Sequence, residues 1–117
     1  MSFYMDAEKY WGNIEYKREF INMTPEKIKK YATQLKFRII EGSGTSIYII
    51  GVSDNGKVVG IDANKIVRYN IIMKNICNEI NSKISSNQII DINKEKKLLI
   101  YVLKNKFKLD DIAYLMG

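Results

Sequence analysis

At 117 residues, 46% hydrophobic and 27% charged, the chain is long enough to bury one core without disulfides and too apolar to be disordered. No apolar run approaches the roughly 20 residues that a membrane span requires. Nineteen Lys and Arg against 13 Asp and Glu leave a net charge of +6, which favours polyanionic partners, RNA or DNA above all. Lys, Ile and Asn are abundant together, however, and such a composition also arises without selection for binding. The absence of histidine removes His general bases, the Ser-His-Asp triad and every His-containing zinc site. Any metal would sit on carboxylates, which points to magnesium, manganese or calcium. The single cysteine, Cys77, excludes an internal disulfide and fits a reducing compartment. Residues 1–6 show neither the basic nor the apolar stretch of a secretion signal, so the expected location is cytoplasmic.

In chain order, residues 1–12 read as a loose arm carrying Phe3, Tyr4, Tyr10 and Trp11, and residues 13–117 as one domain. Asn13 to Phe20 alternates, with Ile14, Tyr16, Arg18 and Phe20 on one side, and predicts a strand. Thr24-Pro25 is an N-cap followed by proline at the first helical position. Ile28, Tyr31, Ala32, Leu35 and Ile39 then recur at helical spacing, and Gly42 ends that helix in a C′ role. Strands are expected at about 46–53 and 57–61, joined by a turn at Asn55-Gly56. Asp62 is placed to cap a second helix, whose stripe is Ile66, Tyr69, Met73, Ile76, Cys77, Ile80 and Ile84, with residues 85–87 breaking it. Gln88–Ile92 and Leu98–Leu103 predict two more strands around the polar turn 93–96, and Leu109–Met116 a closing helix. The order β-α-β-β-α-β-β-α is α+β, a single domain with a mixed or antiparallel sheet of about five strands and two main helices.

The stretch "GVSDNGKV" (51–58) nearly spells the phosphate loop G-x-x-x-x-G-K-[S/T]. Its last position is Val58, without the hydroxyl that magnesium needs, and β-branched runs flank it where a helix should open. The stretch is therefore read as a hairpin turn. Three blocks, "GNIEYK" (12–17), "QLKFRIIEGSG" (34–44) and "IYIIGVSDNGKVVGID" (47–62), resemble the N-terminal domain of GTP-binding-protein-one-type translational GTPases, the elongation-factor-like family linked to ribosome rescue and mRNA turnover. The resemblance covers about half the chain and implies the appended module rather than GTPase activity: the family's GTPase domain is missing, and Asn64-Lys65-Ile66-Val67 lacks the aspartate of a guanine-reading NKxD. More distantly, Glu15-Tyr16-Lys17 and Gly51 to Gly60 are similar to the two motifs of the Schlafen AlbA-like domain, some of whose members cut tRNA or rRNA with three acids and a divalent ion. That resemblance implies Glu15 and Asp54 as metal-holding catalytic acids with Mg2+ or Mn2+. Tyr10 stands where the third acid falls, with Glu8 or Asp6 as substitutes.

The candidate nucleic-acid contacts are a ridge on the first helix, Lys27, Lys30, Gln34 and Arg38, with Lys29 and Lys36 on its other flank. Phe37 points away from the apolar stripe if the helix reaches Glu41, as base stacking requires; an earlier helix end would bury it. Lys94, Lys96 and Lys97, with Lys104, Lys106 and Lys108, form a second basic zone, though lysines there also guard sheet edges. Gly42-Ser43-Gly44 is either a small phosphate nest or a helix exit. Tyr16, Tyr48, Tyr69 and Tyr101 are expected in the core, with Cys77 inert beside them. The expectation is a non-enzymatic, cofactor-free module that binds RNA or DNA, with the ribosome as a candidate setting. A Schlafen-like endoribonuclease is the first alternative, and a homodimer or protein-interaction module built on strand edges and aromatics the second.

Overall fold

A computed structural model describes residues 3–105; the helix expected at 109–116, and Lys106 and Lys108, lie outside them. The architecture is α+β: β1 (Phe3–Tyr4), β2 (Ile14–Lys17), α1 (Pro25–Glu41), β3 (Thr45–Ile50), β4 (Lys57–Val58), β5 (Ile61–Asp62), a 3-10 turn at Ala63–Lys65, α2 (Ile66–Glu79), β6 (Ser82–Asp91) and β7 (Lys96–Asn105). The main sheet is mixed and five-stranded. β2 runs parallel to β3, and β3, β5 and β6 are all antiparallel to β7. β3 and β5 share one edge of β7 and β6 takes the other, so β2 and β6 are the two outer strands.

Both helices pack on one face of this sheet. Ala32, Leu35 and Ile39 of α1 and Tyr69, Met73, Ile76 and Cys77 of α2 meet Tyr48, Ile50, Leu99, Tyr101 and Leu103. A smaller cluster of Tyr16, Ile49, Val52 and Leu98 fills the other face. The four tyrosines expected in the core are all buried. Their hydroxyls find partners, as buried phenols must: Tyr69 accepts the Phe20 N–H at 3.1 Å, Tyr16 donates to the Asp6 carbonyl and Tyr101 to Asn70 Oδ1.

Several boundaries differ from expectation for identifiable reasons. The strand expected to reach Phe20 stops at Lys17, because the Lys17 carbonyl accepts from Gly51 and Val52 and the chain turns there. Phe20 is thereby freed from the Tyr16 face and packs edge-on against Tyr69, with centroids 5.0 Å apart. α2 ends at Glu79 rather than near Ile84, because Asn81 takes a left-handed φ of 54°. Residues 85–87 lie inside β6, and Ile84 reaches the same core from a strand. Asp62 makes no capping hydrogen bond and instead accepts from Lys96 Nζ at 2.7 Å. The hairpin is also smaller than expected: one Val52–Val58 bridge flanks the Asn55-Gly56 turn, and β4 pairs with β1. The arm is thus tied down rather than loose, with Met5 and Glu8 donating to the carbonyls of Gly56 and Asp54.

Gly42 follows α1 as expected, but the reason is space rather than handedness. Its φ is −96°, and the left-handed residue is Ser43. A Cβ at position 42 would stand 1.9 Å from the Thr45 carbonyl oxygen and 2.6 Å from Asn13 Cβ. Gly42→Ala is therefore expected to destabilise by about 2–4 kcal/mol, as strain with no room to relax does. Urea unfolding of the variant should show a lower midpoint at an unchanged slope.

Candidate nucleic-acid interface

Thr24 Oγ1 accepts the Lys27 N–H at 3.2 Å, Pro25 opens α1, and the helix runs 17 residues to Glu41. That length decides the orientation of Phe37, which points outward at 47% exposure. Together with Thr33, Gln34 and Arg38, Phe37 forms one wall of a cavity of about 680 Å³. The arm supplies Glu8, Lys9 and Tyr10, the Asn-Gly turn supplies Asp54 and Asn55, and Glu15 completes the lining from β2.

Arg38, expected on the exposed basic ridge, is instead 4% exposed. Its Nε donates to Glu15 Oε2 at 2.7 Å, Nη1 to the carbonyls of Trp11 and Gly12 at 3.1 and 3.0 Å, and Nη2 to that of Lys9 at 2.8 Å. A buried guanidinium needs such acceptors, and these fasten the arm and β2 to α1. Gln34 is also taken, accepting Lys17 Nζ at 2.8 Å, and Lys27 donates to the Ile21 carbonyl. Lys30 and Lys36 stay exposed on α1 and form no ion pair among the described residues. In the second basic zone Lys96 pairs with Asp62 and Lys97 with Asp91, at 2.7 and 2.8 Å, while Lys94 is exposed. None of these three lines the cavity.

Glu15 and Asp54 do face the same cavity, and Glu8 joins them there; Tyr10 stands at its mouth, 92% exposed. The role of Glu8 was only half legible, because its neighbourhood is set by backbone contacts of the arm. Its Oε2 accepts the Tyr16 N–H and so satisfies the outer edge of β2. Burial raises its pKa, the Tyr16 N–H opposes that rise, and the nearby Glu15 and Asp54 charges add to it. Glu15 is held by two cations, Arg38 and, at 3.4 Å, Lys17, whose ammonium also lies 4.3 Å over the Tyr31 ring. No group of three or more metal-ligating side chains with a suitable arrangement occurs among the described residues.

The near phosphate loop is a turn. Gly56 has φ of 91° and donates to Ser53, Asn55 Oδ1 accepts from Lys57, and a strand follows where a helix would be needed. The N–H groups of residues 42–44 all return to carbonyls of α1, so this stretch is a helix exit and not an anion nest.

No family model matches the chain, and no solved structure matches it. GTP-binding protein 2 of mouse and that of human are each 43% identical to it over 58 residues, 50% of this chain and 10% of theirs. Uncharacterized protein R625 of Acanthamoeba polyphaga mimivirus is 36% identical over 104 residues, 88% of this chain and 55% of that protein. The chain thus shares partial similarity with a GTP-binding protein and spans at most about half the length of the curated relatives it matches.

Arg38→Met keeps the volume but strands Glu15 and three carbonyls, so a loss of about 3–5 kcal/mol is expected from chemical denaturation. Glu8 gives a pH signature of the opposite sign to an ordinary paired carboxylate. Its folded pKa lies above the unfolded value, so the folded state binds more protons and its stability declines as pH rises through that window. Glu8→Gln should raise the melting temperature at pH 7 relative to the parent, and the gain should vanish near pH 4, as scanning calorimetry across pH would show.

Proposed function

We propose that this chain is a non-enzymatic RNA-binding module that takes single-stranded RNA on the exposed face of α1 and the adjoining arm. The observation that carries this reading is the pair of exposed rings, Phe37 and Tyr10, at the mouth of one cavity, with Lys9 beside them and Lys30 and Lys36 on the same helix. A monomeric domain rarely leaves large rings in water around a concavity without use. Stacking on exposed rings holds unpaired bases at roughly 1–3 kcal/mol each, whatever the sequence. The phosphates would track Lys30 and Lys36 on α1, outside the cavity, and meet only Lys9 of its exposed lining, because Glu8, Glu15 and Asp54 repel them from the rest. The resemblance to the N-terminal module of translational GTPases suggests ribosome-associated RNA as the setting.

The convergence of Glu8, Glu15 and Asp54 on one cavity supports a second reading, the Schlafen-like metal-dependent endoribonuclease. The residues do not fit a Mg2+ or Mn2+ centre well. Glu15 is already neutralised by Arg38 and Lys17, and one Glu8 oxygen is committed to the Tyr16 N–H. Magnesium dehydrates reluctantly and would have to displace both cations from Glu15.

The test is a titration of single-stranded RNA at several salt concentrations. Binding should weaken steeply with salt, and Phe37→Ala should reduce affinity roughly 5- to 150-fold, the range of one lost stack. Lys30→Glu with Lys36→Glu should lower both affinity and salt slope. Binding that is absent, or indifferent to all three changes, removes the proposal. Cleavage with Mg2+ or Mn2+ that is lost in both Glu15→Gln and Asp54→Asn would establish the nuclease instead.

A further inference from the structure

The outer edge of β6 carries a different surface. β6 pairs with β7 at nine residues, with a bulge between Ile84 and Ser86, and among the described residues only α2 also packs substantially against it. Residues 85–91 are exposed without a break, including Ile89 and Ile90, and the run 84–90 contains no charge and no proline. Sheet proteins ordinarily blunt a long free edge with lysine, proline or a covering element, because its open N–H and C=O groups pair with any strand offered.

A second observation lies beside the first. Val67 and Ile71 are 73% and 57% exposed on α2, away from its buried stripe. Asn70 holds the helix against the strand, its Oδ1 accepting from Asn87 Nδ2 at 3.2 Å and from the Tyr101 hydroxyl. Because the chain reverses at Asn81, Val67, one turn before Asn70, lies toward the Ile89 end of β6. Ile89 shares the helix-bearing face of the sheet, since it pairs with Leu99 of the main core. The free edge and the apolar flank of α2 therefore border one another.

We propose that this surface is a two-fold interface with a second copy of the same chain, β6 pairing antiparallel with β6 about Asn87 and the two α2 flanks meeting above it. A second copy suits it better than an unrelated strand because the edge is self-complementary. Antiparallel pairing about Asn87 sets Lys83, at one end of each strand, opposite Asp91 of the other, an exposed carboxylate that within its own chain pairs with Lys97. It also brings each apolar α2 flank against its own equivalent, the closed arrangement of an isologous dimer. The interface lies on the opposite edge of the sheet from β2 and is independent of the RNA-binding reading.

Sedimentation equilibrium of the full chain tests this, with circular dichroism confirming the fold of each variant. The parent should sediment at twice 13.6 kDa. Ile89→Lys and, separately, Val67→Glu change exposed side chains and should each weaken dimerisation roughly tenfold or more. A parent that is monomeric at ~100 μM, outside the range of a specific dimer, overturns the proposal. So does a dimer that neither substitution disturbs.

Discussion

One buried cation organises the functional half of this molecule. Arg38 leaves water at the C-terminal end of α1, and such a group is tolerated only where fixed acceptors replace its hydration. Four are supplied: one carboxylate oxygen of Glu15 and the carbonyls of Lys9, Trp11 and Gly12. A pair of this kind adds little net stability over an apolar equivalent. Its consequence is geometric. The planar fork fixes where the arm crosses α1, and the arm's crossing creates the cavity wall that carries Lys9 and Tyr10. Glu15 also sits on the parallel strand β2, so the same contact sets the separation of helix and sheet edge.

The electrostatic character of the site follows. A protein with net charge +6 encloses a cavity lined by three carboxylates, two of them within the field of the third. The exposed Lys30 and Lys36 lie outside it on α1, and Lys9 is an exposed part of its wall. On the proposed reading a polyanion would be attracted to the molecule and held at the rim, where the rings are. Backbone charge and base stacking act on different parts of the ligand, and this surface separates them in the same way.

The regular part of this architecture was legible in the sequence. Thr24-Pro25, the stripe of α1 and the Asn-Gly turn are local signals, and each sits where the residues suggest. What escaped was non-local. Arg38 occupies a helix position that reads as solvent, and only the arm folding over it reverses that reading. The partner of β4 was missed because β1 comes from residues 3–4, a segment too short to show periodicity. The limit of α2 depended on the left-handed Asn81, which no stripe encodes, and Ile84 fell on the helical stripe by coincidence. For the site, Glu15, Asp54 and Phe37 were visible as residue types, whereas the company they keep came from tertiary structure.

The two surfaces are linked by the order of strands. β2, carrying Glu15 and touched by the arm, is one edge of the sheet, and β6 is the other. Pairing through β6 would place eight strands in line between the two β2 edges, roughly 30–35 Å at the usual strand spacing. The two aromatic-lined cavities would then sit at the far ends of one rigid sheet. A single shallow site of stacked rings and mobile lysines would hold RNA weakly and release it quickly. Two such sites fixed on one body would engage a single strand in succession, the second contact gaining from an effective concentration instead of a new search. Dimerisation would thus raise affinity for long RNA over short without any change in the site itself.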